Sequence, residues 1–289
     1  MTQQAPVAAP LNNRALVLGG GGVTGIAWTT GLLFGLHEHG VDVLRAHRLI
    51  GTSAGATVGA QITSGVSFSD LFQRQADPAR QSRELNPQPQ QLQALAATLL
   101  PLMNITDGAE RIRRIAQVAL AAETVEEPAR RAVIEDRLPS HRWPHHSFSV
   151  VAVDTQSYQT TLFDRHSGVN LVDAVAASCA VPGIWPAVTI MGRRYMDGGV
   201  RSPDNADLAA DCTVVLVLSP VGLQGNHGLE AQVGTLQKSG VSLRVIEPDA
   251  ASRNAIGLNP FDLRMRAPAA HAGHLQGCAL AKDIAAFWD

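Results

Sequence analysis

A short apolar run, Ala15-Leu16-Val17-Leu18, ends in four consecutive glycines, Gly19 to Gly22. A run this short that stops on glycine reads as a buried strand. Beyond it, Thr24 to His39 carries Ile26, Leu32, Leu33 and Leu36 at helical spacing and stops at Gly40, a C-terminal cap. The pattern then repeats. Arg48-Leu49-Ile50 leads into Gly51-Thr52-Ser53-Ala54-Gly55, which opens a small-residue segment from Ala54 to Thr63. Strand, helix, strand, helix implies a parallel sheet with right-handed crossovers.

From about residue 66 to 146 the chain is rich in Gln, Arg, Ala and Pro, and reads as a helical insertion. Within it, Gln91 to Met103 places Leu92, Leu95, Leu99 and Leu102/Met103 on one face, and Pro101 is expected to kink or end that helix. A helix over Ala109 to Ala122 places Ile112, Ile115 and Ala119 together. Strands return at Ser147 to Asp154 and Thr160 to Phe163, a hairpin around Gln156-Ser157-Tyr158. Leu171 to Ala180 reads as a helix, Val188 to Met196 as a second hairpin turning at Gly192, and Thr213 to Leu218 as a central strand. A helix over Leu229 to Lys238, a strand over Val241 to Ile246 and a helix over Ala269 to Trp288 close the chain. Residues 1 to 13 read as a flexible tail, leaving residues 14 to 289 as a single domain.

Composition narrows the function. The 289 residues carry a net charge of -2, which removes the electrostatic reason to expect nucleic acid as a partner. The three cysteines, Cys179, Cys212 and Cys278, lack CxxC spacing and read as buried apolar residues in a reducing compartment. The N-terminus lacks the basic start and apolar run of a signal peptide, and no apolar run is long enough for a membrane helix, so the expectation is cytoplasmic. No cofactor or metal is expected. His37, His39, His145 and His146 read as surface residues, because no third ligand has zinc spacing.

Three segments carry chemistry. Gly20, Gly22 and Gly25 form GxGxxG between a strand and a helix, where free N–H groups and the helix dipole suit an anion. That anion is a dinucleotide pyrophosphate or the oxyanion of a tetrahedral intermediate. The second strand lacks the acidic residue a dinucleotide fold wants about 20 residues on, which disfavours the nucleotide. Gly51, Ser53 and Gly55 form GxSxG, again between strand and helix, as a nucleophile elbow requires. Asp197-Gly198-Gly199 at a strand end suits a hairpin turn or a base for the serine. Burial would raise such a carboxyl toward neutrality.

Taken in order, Gly-Gly-Gly-x-x-Gly, Gly-Thr-Ser-Ala-Gly and Asp-Gly-Gly resemble the patatin-like phospholipases. The segment Ala177-Ser178-Cys179-Ala180-Val181-Pro182-Gly183 is similar to the family's stretch shortly before its Asp. The resemblance spans about residues 14 to 199. It implies a three-layer α/β sandwich with a central, mainly parallel sheet, hydrolysis of lipid acyl esters, and a Ser–Asp dyad without His. Ser53 is then the nucleophile, Asp197 the general base, and the N–H groups of Gly21, Gly22 and Val23 the oxyanion hole. The chain departs from many members of the family at Thr24, where they carry Arg, which loosens any expectation of a phosphorylated head group.

Rival readings stay open. His271 or His274, with Asp249 or Asp262, follows Ser53 in the chain order of an α/β-hydrolase triad. Transfer of the acyl group to an alcohol or lysolipid would use the same site, and an inactive scaffold is a further alternative. The Leu92 to Met103 stripe is core, or else a lid or a membrane-touching surface.

Overall fold

The computed structural model describes residues 13–224 and 226–288. The expected tail therefore lies outside the described residues except for Asn13, which is held. Its N–H donates to Thr213 Oγ1 at 3.0 Å, and its carbonyl accepts from the N–H groups of Thr213 and Val214.

The strands form one mixed, mostly parallel sheet. In chain order they are β1 (Arg14–Leu18), β2 (Arg48–Thr52), β3 (Phe148–Asp154), β4 (Thr160–Phe163), β5 (Val188–Ile190), β6 (Arg193–Asp197), β7 (Val214–Leu218) and β8 (Ser242–Ile246). Their order across the sheet is β5-β6-β3-β2-β1-β7-β8, with β4 paired to β3. β3, β2, β1, β7 and β8 run parallel, and β6 meets β3 antiparallel. β2 and β7 flank β1, so connections depart to both sides of it. Sheets of this kind open a crevice beyond the C-terminal ends of the strands, at such a reversal.

The helices are α1 (Gly22–Glu38), α2 (Ala54–Ile62), α3 (Phe68–Ala76), α4 (Pro89–Met103), α5 (Gly108–Ala121), α6 (Glu127–Arg137), α7 (Leu171–Ser178), α8 (His227–Lys238), α9 (Ala250–Ile256) and α10 (Arg266–Trp288). Strand alternation sorts them into layers. Leu16 and Leu18 point into a core with α1, α2, α7 and α10, whereas Ala15 and Val17 point into a second core with α8. A third cluster joins Ile115, Ala116 and Ala119 of α5 to Val153 and Met196, with Leu99 and Leu102 of α4 against it. The architecture is the expected α/β sandwich.

Two local expectations are modified. Pro101 sits inside α4 and does not end it, since the helix runs on to Met103. A proline this close to a C-terminus spoils little of the remaining ladder. The Leu stripe of α4 is neither fully core nor free: Leu92, Leu95, Leu99 and Leu102 are half-buried.

α1 and α10 pack closely because glycines face each other across them. A Cβ at Gly31 would lie 2.0 Å from the Ala270 carbonyl oxygen, and one at Gly273 2.2 Å from that of Trp28. Gln276 of α10 adds a polar tie. It accepts from Trp28 Nε1 at 3.0 Å and from Ser252 Oγ at 2.8 Å, and donates to the Glu247 carbonyl at 2.7 Å.

Candidate active site

β2 delivers Ser53 into a sharp turn before α2. Its φ of 53° and ψ of -112° lie where L-residues rarely sit. The turn is tight because α2 starts against β1: a Cβ at Gly55 would lie 1.9 Å from the Leu18 carbonyl oxygen. Ser178 holds the strained residue in place. The Ser53 N–H donates to Ser178 Oγ at 2.8 Å, and Ser178 Oγ donates to the Val151 carbonyl at 2.6 Å. Cys179 Sγ donates to the Ser53 carbonyl at 3.3 Å.

The same segment fixes Asp197. The Asp197 N–H donates to the Ala180 carbonyl at 3.0 Å, at the end of β6 opposite Ala152 of β3. Its carboxylate accepts the Gly199 N–H at 2.7 Å. Burial pushes Asp197 up from 3.8 to about 7, against the Ser53 hydroxyl and Gly199 N–H hydrogen bonds, which lower it. Asn205, itself left-handed at φ 54°, links the two arms by donating to Thr52 Oγ1 and to the Gly198 carbonyl.

The glycine loop runs beside the serine, with a Cβ at Gly20 falling 3.5 Å from Ser53 Cβ. Gly22 has φ +62°, and a Cβ there would meet the Pro260 carbonyl oxygen at 2.4 Å, so no other residue fits. Gly19 N–H donates to Leu218, Gly20 to Pro203 and Thr24 to Pro260. Between them, the N–H groups of Gly21, Gly22 and Val23 donate to no acceptor among the described residues. They open the first turn of α1, where such groups lack helical partners. Gly25, which ends the first motif, and Gly51, which starts the second, are packing contacts, against Pro220 and against Gly55 and Ala56.

Two adjoining cavities open at Ser53. One, of about 280 Å³, is walled by Leu99, Ile115, Val181, Val200, Pro260 and Phe261 and also touches Asp197 and Gly199. The other is a crevice of about 20 Å³ that includes Arg130, Arg137 and Glu84.

The histidines are elsewhere. His274 Nε2 pairs with Glu38, and His271 meets the Phe72 ring edge on. Asp249 caps α9 through the Ser252 N–H, and Asp262 pairs with Arg264. None of these four lines either cavity at Ser53.

Several features escape sequence reasoning. Ser178 is legible only as part of a motif, with no role attached. Asn205 and Asp204 carry no signature. Asp204 is buried behind Gly19 and raised to about 6, chiefly by that burial. Glu38, His274 and Cys278 bring three ligand-type atoms within 4.8 Å of one another, a grouping that no zinc spacing announces.

A family model described as patatin-like phospholipase matches residues 16–210. Uncharacterized NTE family proteins of Mycobacterium bovis and Mycobacterium tuberculosis are 28% identical over 209 residues, covering 71% of this chain and 49% of theirs. The chain thus spans about half the length of the curated relatives it matches. Among solved structures, VipD from Legionella pneumophila superposes with a TM-score of 0.46 at 15% identity, over 94% of this chain and 67% of that one. The type III effector protein ExoU superposes with a TM-score of 0.37 at 17% identity, over 94% and 54%. The family match takes in the glycine loop, the serine turn and the Asp-Gly-Gly strand end within one sheet, and this chain belongs to the patatin-like phospholipase family.

Proposed function

We propose that this protein is a serine lipid acyl hydrolase in which Ser53 is the nucleophile and Asp197 the general base. The observation that carries the reading is a strained serine that lines the same cavity as a buried carboxylate raised to about 7. A base poised near neutrality suits proton transfer at physiological pH. The apolar cavity beside the pair suits an acyl chain.

The chemistry has two halves. Ser53 Oγ attacks the ester carbonyl carbon while its proton passes to Asp197. The oxyanion takes hydrogen bonds from the N–H groups of Gly21, Gly22 and Val23. The tetrahedral intermediate collapses, the alcohol leaves with the proton from Asp197, and Ser53 carries the acyl group. Asp197 then takes a proton from water, which attacks the acyl carbon. The fatty acid departs and the proton returns to Ser53. Residues 14 to 289 act as one catalytic domain, with the segment from about 66 to 146 inserted into it. The partner is a lipid or ester substrate. Contact with a bilayer, where it occurs, is peripheral in this reading; among the described residues no helix is long and apolar enough to cross a membrane.

The test is hydrolysis of p-nitrophenyl esters of graded chain length by wild type, Ser53→Ala, Asp197→Asn and a His271→Ala/His274→Ala double variant. We expect Ser53→Ala to be inactive and Asp197→Asn to lose about 10²-fold or more in kcat, with the His variant close to wild type. An inactive but folded His variant alongside a working Asp197→Asn would establish a His-dependent triad instead.

A further inference from the structure

The crevice at Ser53 is built from charge. Arg130, Ile134 and Arg137 share one face of α6, and that face is buried. Glu84 satisfies only one of the two arginines. It accepts from Arg137 Nε and Nη2 at 2.5 and 2.6 Å, but stands 3.7 Å from Arg130 Nη1. Arg130 lies over the Trp185 ring at 3.9 Å, and its Nε and Nη1 find no hydrogen-bond partner. Its side chain is 5% exposed. Two guanidiniums against one carboxylate leave one positive charge uncompensated. Burial, then the charge of Arg137, pulls Arg130 down to about 9, so it remains charged at neutral pH.

A buried charge with unmade hydrogen bonds is expensive to keep, so the site is arranged for something to complete it. The space is about 20 Å³ and opens at Ser53. That is room for one or two water-sized atoms, at roughly 10–15 Å³ each. An anionic oxygen fits there, whereas an alkyl chain does not. The glycine loop offers no competing cation, because Thr24 stands buried at its end.

We propose that Arg130 is an anion subsite that receives one oxygen of a carboxylate or phosphate group carried by the substrate. The guanidinium edge that lines the crevice donates to that oxygen, and Trp185 supports the guanidinium from its face. The acyl chain occupies the larger cavity. This inference rests on the reading of Ser53 as the point of ester cleavage. It makes the preferred substrate an anionic amphiphile and not a neutral one.

Binding tests it without turnover. Decyl phosphate, decanoate and decanol are titrated calorimetrically into the full chain carrying Ser53→Ala. At least one anion should bind about tenfold or more tightly than decanol, as a charge-assisted hydrogen bond provides. Preference for decyl phosphate points to a lipid head group, and preference for decanoate to a carboxylate. Adding Arg130→Met should remove the preference. Leu85→Glu, at a half-buried position in the lining of the crevice, should shrink it while leaving Arg130 in place, and decides the matter if Arg130→Met does not fold. No anion preference in the parent, or a preference intact in the variants, overturns the proposal. Ester turnover by wild type without anion preference sinks the subsite alone. Anion preference without turnover sinks the hydrolase reading alone.

Discussion

Asp197 is the residue at which folding and chemistry pull against each other. Its carboxyl is buried and holds its proton up to about 7, against 3.8 in the unfolded chain. The folded chain therefore binds more protons than the unfolded one across that interval, and stability falls as pH rises through it. Asp197→Asn keeps the acceptor for the Gly199 N–H and removes the charge. We expect the variant to match wild type near pH 4 and to exceed it by about 2–4 kcal/mol at pH 8, read from urea midpoints. That range follows because each tenfold difference in proton affinity between folded and unfolded chain is worth about 1.36 kcal/mol. Wild-type kcat/KM should rise with pH through about 7, as the carboxylate form becomes available. A flat profile, or a variant whose advantage over wild type is no larger at pH 8 than at pH 4, would remove Asp197 as the titrating base.

At the scale of elements, sequence pattern worked best where burial was apolar. β1, β2, β3 and β7, both hairpins, α1 and α10 declare themselves through period-2 or period-3.6 apolar spacing and terminal glycines. α6 was hidden because its buried face is Arg130, Ile134 and Arg137, and a pattern keyed to hydrophobicity assigns arginines to solvent. In the site, motifs marked Ser53, Asp197 and the glycines, since each needs a particular backbone. Ser178 and Asn205 act through contacts 125 and 153 residues away in the chain, and Arg130 acts through a cavity. Local sequence is silent on both. α4 shows the middle case. Its spacing was legible, yet only packing shows that Leu99 forms part of the wall of the cavity at Ser53. Leu99→Trp fills part of that 280 Å³ space, so kcat/KM for long-chain p-nitrophenyl esters should fall about tenfold or more relative to the shortest ester. An unchanged chain-length profile would place the acyl chain elsewhere.

Across the whole molecule, the site depends on a helix that lines neither cavity at Ser53. The glycine loop is the N-terminus of α1, and α1 is held along its length by α10, which lies beyond the matched family region. The fit leaves no slack: Gly31 and Gly35 of α1 would each place a Cβ within 2.3 Å of a carbonyl oxygen of α10. Backbone cannot rotate aside as a side chain does, so one methyl group must push the helices apart. Gly31→Ala should cost at least about 3 kcal/mol, the upper end for overpacking, although alanine is the better helix former. Gly234 of α8 supplies the control. It is also inside a helix, but a Cβ there meets nothing within 4 Å, so Gly234→Ala should gain about 0.5–1 kcal/mol from propensity. Displacing α1 shifts the unpaired N–H groups of Gly21, Gly22 and Val23 relative to Ser53, and misplacement of about 1 Å costs about 10²-fold in rate. Gly31→Ala should therefore lose ester turnover at temperatures where circular dichroism still shows it folded, while Gly234→Ala keeps full turnover. If both variants behave alike, the α1–α10 contact is only scaffolding and the loop is held by its own contacts with Leu218, Pro203, Pro220 and Pro260.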